Sequence, residues 1–121
     1  MQRWLMALGA VQGLVAVIAA AAAAHLAAGR LATAGLRAVD AAVQLQAVHA
    51  LAILACALWL PRGGPLAGWA GIAFLAGSLL FCAAAWINGV TSASLGPTAP
   101  IGGLLLMAGW LLLALSALRS A

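Results

Sequence analysis

Residues 4–28 read WLMALGAVQGLVAVIAAAAAAHLAA, a stretch without a formally charged side chain. A helix of about 20 apolar residues crosses a bilayer core of about 30 Å, so this stretch is long enough to span one. Three further apolar stretches follow, and hydrophobic residues make up 68% of the 121 positions. A soluble domain of this size cannot hide so much apolar surface. The chain is therefore predicted to lie in a membrane.

The spanning elements are predicted to be helices. Strands of a membrane barrel would alternate polar and apolar residues, whereas runs such as Leu104–Leu106 are apolar on every side. We predict an all-α fold, a four-helix transmembrane bundle of two helical hairpins, as a single integral membrane domain over residues 1–121. The predicted helices are Trp4–Ala28, Ala41–Leu60, Leu66–Ile87 and Pro100–Arg119.

The connections between these helices differ in character. Pro61-Arg62-Gly63-Gly64-Pro65 predicts a tight turn, which makes the second and third helices antiparallel neighbours. The segment Ala28–Asp40 is predicted to be a loop in which Asp40 caps the second helix by accepting hydrogen bonds from its first N–H groups. The segment Asn88–Ala99, rich in glycine, proline and hydroxyl residues, is expected to lie outside the hydrocarbon.

The few charges give an orientation rather than a binding surface. Arg3, Arg62 and Arg119 fall at one end of the predicted bundle, and Arg30 and Arg37 fall at the other together with the only acidic side chain, Asp40. The positive-inside rule then favours cytoplasmic termini. High Ala, Gly and Arg-over-Lys usage indicates a GC-rich bacterial genome, and we expect the protein in a bacterial cytoplasmic (inner) membrane.

Composition argues against several function classes. Five scattered arginines form no patch for nucleic acid, and a single carboxylate excludes paired-carboxylate catalysis. No glycine-rich phosphate loop occurs, and the two cysteines, Cys56 and Cys82, differ in predicted depth by roughly 18 Å, too far for a disulfide or a shared metal. We expect a protein that is not an enzyme and has no cofactor or metal.

Polar residues inside predicted membrane segments are the usual indicators of a functional site. Four are candidates here: His25, Gln46, His49 and Asn88. Gln46 and His49 are three residues apart and share a helix face. His25 and His49 differ in predicted depth by about 15 Å, which disfavours joint ligation of a haem or metal. We expect the hydrogen bonds of Gln46 and His49 to join helices; an ion path along His49, or contact with a lipid or quinone headgroup, are the alternatives.

Several motifs resemble a known family. They are Ala24-His25, the Gln-Ala-x-His element at Gln46–His49, the Pro100-Ile101-Gly102-Gly103 element followed six residues later by Gly109-Trp110, and Gly77 with Phe81. The chain resembles the domain-of-unknown-function 423 family, the transmembrane protein 256-like small membrane proteins. It departs from the family pattern at Ala20, Ala23, Ala99 and Cys82–Ala84. The resemblance implies a four-helix membrane protein with Pro100, Gly102 and Gly103 in a family motif, and it implies no reaction.

The first functional expectation is a structural or accessory subunit that packs against a larger membrane complex. Its partners would be membrane lipids and other membrane subunits, or further copies of itself. The alternatives are a small oligomeric transporter or channel that uses Gln46, His49 and Asn88, and a haem- or quinone-binding membrane protein.

Overall fold

The computed structural model describes residues 1–27 and 29–120, and these residues are largely helical. Helix α1 spans Gln2–Ala22 and ends in a π-helical turn, Ala23–Ala27; α2 spans Thr33–Thr91, and α3 spans Thr98–Arg119. No strand occurs among the described residues, and the all-α prediction is confirmed. The predicted end of the first helix, Ala28, lies outside the described residues.

The number of helices differs from the prediction. Three helices, not four, are long and apolar enough to cross a membrane within the described part of the chain. The difference arises at the predicted turn 61–65, which stays helical except at Gly64 (φ 61°, ψ −153°). That conformation is accessible essentially to glycine alone. Pro65 then opens the next helical segment, where its missing N–H is tolerated, so one glycine reverses the chain.

Gly64 divides α2 into a first arm, residues 33–63, and a second arm, residues 65–91. As one straight rod, 59 residues would extend about 88 Å, far more than a bilayer core. The arms instead pack side by side: the Cys82 thiol donates a hydrogen bond to the carbonyl oxygen of Ala42 at 3.3 Å. The two arms are therefore antiparallel neighbours, as predicted for the second and third helices.

The start of α2 corrects the prediction for Asp40. The helix begins at Thr33 with Ala32 as its N-cap, so Asp40 is the eighth helical residue and does not cap it. Tertiary packing explains the earlier start. Val39 is fully buried, and a methyl group on Gly35 would lie 2.5 Å from the carbonyl oxygen of Gly89. The second arm thus supports the first turns of α2.

Helices α1 and α3 flank the two arms. Leu5 of α1 packs on Gly71, and the backbones of α3 and the second arm meet at Gly102 and Gly77. Within the described residues no Cα atom of α1 lies within 8 Å of a Cα atom of α3, so the two helices are not direct backbone neighbours. The core between the four helical segments consists of Leu5, Ala52, Ile53, Cys56, Ala57, Ala70, Phe74 and Leu106.

The charged residues lie at the two ends of the bundle, as predicted from the sequence. The Met1 side chain lies against Gly68, and the Trp59 indole N–H donates a hydrogen bond to the Ser116 hydroxyl at 3.1 Å. These contacts bring the start of α1, the reversal in α2 and the end of α3 to one end of the bundle. That end carries Arg3, Arg62 and Arg119, and the opposite end carries Arg30, Arg37 and Asp40.

Candidate functional site, a buried polar network

His49 lies in the middle of the first arm and is 3% exposed. Its Nδ1 is 2.7 Å from the carbonyl oxygen of Leu45, one turn earlier, and its Nε2 is 3.0 Å from the indole nitrogen of Trp110 on α3. A carbonyl can only accept and an indole N–H can only donate. Nδ1 therefore carries the proton and Nε2 is the acceptor, so both ring nitrogens are engaged within the chain.

Aromatic rings surround this histidine. The Phe74 ring lies 5.4 Å from His49 and 4.9 Å from Trp110, with interplanar angles of 52° and 63°. These tilted geometries are favourable for neighbouring rings. Gly109 makes the packing possible, because a methyl group there would lie 2.6 Å from the Phe74 ring. The Gly109-Trp110 pair thus supplies both the space for Phe74 and the donor for His49.

Gln46, one turn before His49, joins three helical segments. Its amide Nε2 donates to Oε1 of Gln12 on α1 at 2.7 Å, and Nε2 of Gln12 donates to the Ser78 hydroxyl on the second arm at 3.1 Å. Ser78 in turn donates to the carbonyl oxygen of Leu75 at 3.1 Å. The bonds run in one direction from the first arm through α1 to the second arm.

Sequence reasoning found Gln46 and His49 but did not assign their partners Gln12, Ser78 and Trp110. We name these five residues the buried polar network; four of them are buried, and Trp110 is 47% exposed. A signal for Gln12 was available. The buried residues of α1 are Leu5, Gly9, Gln12 and Ala16, a single face at helical spacing, and Gln12 is its one polar member. A polar residue on the buried face of an apolar helix requires a partner.

The buried polar atoms find their hydrogen-bond partners within the chain. Among the described residues, every fully buried side-chain nitrogen and oxygen atom has a hydrogen-bond partner. No group of three or more His, Cys, Asp or Glu side chains is arranged to hold a metal ion in the described part of the chain. Both cysteines are buried and are free thiols. The interior is thus built for mutual hydrogen bonding between helices.

His25 and Asn88 are not part of this network. His25 lies in the π-helical turn after α1 and is exposed, whereas His49 lies about 24 Å of helical rise from the start of α2. Asn88 is exposed and donates to the carbonyl oxygen of Ala93 at 3.2 Å, beyond the end of α2. The structure therefore brings neither His25 nor Asn88 to the site of Gln46 and His49.

The Pro100–Gly103 element shapes the start of α3. Pro100 lies in the first turn, where helix N–H groups lack intrahelical partners and proline is tolerated. A methyl group on Gly102 would lie 2.7 Å from the backbone nitrogen of Phe81, and one on Gly77 would lie 2.8 Å from the carbonyl oxygen of Gly102. Gly103 has nothing within 4 Å of such a methyl group. Gly102 is thus a packing residue, and Gly103 lies on an open face.

The sequence matches the family model described as protein of unknown function (DUF423) over residues 19–103. That range covers more than half of the chain. The chain belongs to the DUF423 family. No curated protein and no solved structure matches it. The DUF423 match includes every site residue predicted from the sequence, and it leaves Gln12 and Trp110 of the buried polar network outside its bounds.

Proposed function

We propose that this DUF423 protein is an integral membrane protein that crosses the bilayer four times. The three long helices support it, with the two arms of α2 as separate crossings. The outer surface is apolar: Val17, Leu51 and Leu118 are 69%, 68% and 77% exposed. Side chains of this kind at the surface of a helical bundle fit a lipid environment.

We propose that both termini face the cytoplasm, in a bacterial cytoplasmic membrane. Three arginine side chains without an acidic neighbour in sequence lie at the end that holds the termini, against two arginines and Asp40 at the other. The excess of arginine favours the first end as the cytoplasmic one.

We propose a non-enzymatic role, as a structural or accessory subunit that packs against a larger membrane complex. The main support for this proposal is the buried polar network. Gln46, Gln12 and Ser78 bond to one another, and both nitrogens of His49 are engaged, so these groups stabilise the bundle and leave the outer surface for contacts. A subunit of this kind needs a rigid fold and a surface that is complementary to its partner.

Such a face lies between α1 and the first arm. A groove of about 450 Å³ runs there, lined mainly by small side chains. A methyl group on Gly13 would meet nothing within 4 Å, so the groove is open at its floor. Small residues let a neighbouring helix approach closely, which is how membrane helices gain packing energy without a hydrophobic driving force. We propose that a helix of the partner complex occupies this small-residue groove, whose lining is Gly9, Ala10, Gly13, Ala16, Val17, Ala20, Val43, Ala47, Ala50, Leu51 and Leu54.

The geometry favours this proposal over transport and over haem or quinone binding. An oligomeric channel would require Gln46, His49 and Asn88 to line one path, but the first two bond inward and Asn88 lies at the exposed end of α2. Ligation of a haem iron by His49 would first break its bond to Trp110 or to Leu45. Both alternatives therefore require a rearrangement of the core.

Native extraction tests the proposal. The protein is extracted from its own membranes in mild detergent, and the mass and composition of the particle are recorded. The subunit proposal predicts stoichiometric co-migration with a larger set of membrane proteins. Migration as a monomer or a small symmetric oligomer contradicts it and supports flux assays on His49 variants.

A further inference from the structure

A second groove lies between the first arm and α3, on a different face from the small-residue groove. Its volume is about 640 Å³. Two tryptophans form its walls, and alanines keep its floor open. We name it the tryptophan groove, and it is lined by Ala55, Leu58, Trp59, Trp110, Leu113, Ala114 and Ala117.

The indole N–H groups of the two tryptophans are both engaged in hydrogen bonds within the chain. Trp59 donates its N–H to Ser116, and Trp110 donates its N–H to His49. An indole has no other hydrogen-bonding atom. The groove therefore offers ring faces and aliphatic carbon, a surface that suits a hydrocarbon chain and provides no donor for a polar group deep inside it.

The length of the groove fits one leaflet of a bilayer. From Trp110 to Ala117 the α3 axis rises about 10 Å, within the roughly 15 Å of hydrocarbon that one leaflet provides. The groove runs toward the end of the bundle that carries Arg3, Arg62 and Arg119. A chain lying in it would thus enter from the lipid headgroup region at that end.

Arg62 lies about one helical turn beyond Leu58, in the direction in which the groove runs. Ala55, Leu58 and Arg62 have i, i+3, i+7 spacing and share one face of the first arm. The only acidic side chain, Asp40, lies at the opposite end. Arginine at a membrane surface attracts anionic lipids. A second copy in the same orientation would bring like charges to this end of the groove, so charge complementarity favours an anionic occupant.

We propose that the tryptophan groove binds one anionic phospholipid, with an acyl chain between Trp59 and Trp110 and the phosphate at Arg62. This inference rests on the proposed membrane insertion and is independent of the partner complex. The lipid seals the open side of the contact between the first arm and α3.

Lipid retention measured by native mass spectrometry tests this. Delipidated full-length protein in mild detergent receives phosphatidylglycerol or phosphatidylcholine with identical acyl chains. We expect one molecule of phosphatidylglycerol to bind in preference to phosphatidylcholine. Arg62→Gln should weaken phosphatidylglycerol binding about fivefold, the value for one arginine near an anionic surface. Arg119→Gln is the matched control, because Arg119 lies about 200° around α3 from Ala117, and it should change binding less than twofold.

A second pair of variants tests the groove itself. Ala114→Phe fills the floor and should abolish retention of both lipids, whereas Ala108→Phe, at an exposed position on another face of α3, should leave it unchanged. Ala117→Leu replaces Ala114→Phe if thermal unfolding shows that the latter misfolds. Equal retention of the two lipids, equal effects of Arg62→Gln and Arg119→Gln, or a dimer that Ala114→Phe dissociates would overturn the proposal. Lipid retention is recorded on the isolated protein, so failure of the lipid proposal is distinguishable from failure of the subunit proposal.

Discussion

Trp110 donates its indole N–H to Nε2 of His49 across 3.0 Å, and this bond ties α3 to the first arm of α2. With the bond from Nδ1 to Leu45, it uses both nitrogens of the buried histidine. A histidine that looks like a candidate ligand in the sequence is thus a bridge between helices in the structure.

Replacing His49 should destabilise the bundle, because it leaves the Trp110 N–H without its hydrogen-bond acceptor. In His49→Leu the Trp110 N–H loses its acceptor, and a donor left unsatisfied away from water costs about 1–3 kcal/mol. Thermal unfolding in mild detergent measures the change. The double variant His49→Leu/Trp110→Phe removes both partners and should be less destabilised than the sum of the single variants. Strict additivity would show that the bond contributes nothing.

Replacing Gln12 should lower the unfolding free energy more than replacing either of its hydrogen-bond partners. It accepts from Gln46 and donates to Ser78, so Gln12→Leu breaks two bonds while Ser78→Ala breaks one between helical segments. Bonds between membrane helices contribute about 0.6 kcal/mol on average. We expect Gln12→Leu to lower the unfolding free energy by about 1–3 kcal/mol, since it also leaves buried Gln46 unpaired. An effect no larger than that of Ser78→Ala would contradict the linked arrangement.

The contact between Gly77 and Gly102 should not tolerate a methyl group. In Gly102→Ala the added carbon would lie 2.7 Å from the backbone nitrogen of Phe81, so two backbones must separate. Overpacking of this kind costs about 1–3 kcal/mol. Gly103→Ala is the control: it meets nothing, and alanine is the better helix former, so stability should rise by about 0.5–1 kcal/mol. Equal melting temperatures for the two variants would disprove the close approach.

The proposed orientation predicts opposite labelling of the two ends. Ser94 and Ser120 are exposed, beyond the ends of α2 and α3, and the native cysteines are buried. In intact cells an impermeant thiol reagent should label Ser94→Cys and spare Ser120→Cys, which reacts only after the membrane is opened. The reverse pattern would place the termini outside.

The all-α fold could be predicted from the sequence because apolar runs of bilayer length have few alternative folds. It also placed Gln46 and His49 on one buried face, since helical spacing is local. Reversal at Gly64 alone was not predictable, because the sequence indicated a tight turn of five residues, Pro61–Pro65, whereas residues 61–63 remain helical in the packed arms.

The partners of the polar residues could not be predicted. Trp110 follows His49 by 61 positions and Gln12 precedes Gln46 by 34, so their contacts depend on how the helices align after folding. The capping role predicted for Asp40 was wrong for a similar reason. That role assumed a helix that begins at Ala41, whereas α2 begins eight residues earlier, at Thr33, where Gly35 packs on Gly89.

The most direct test of the subunit proposal compares two glycines with open surroundings. Neither Gly13, in the small-residue groove, nor Gly103, on α3, has an atom within 4 Å of an added methyl group, so leucine at either position should leave the fold intact. Each variant is expressed in place of the wild-type protein, and the particle extracted in mild detergent is analysed by native electrophoresis. The account predicts that Gly13→Leu releases the protein from a larger membrane complex while Gly103→Leu remains bound. Retention of both variants, or a wild-type protein that migrates alone, would contradict it.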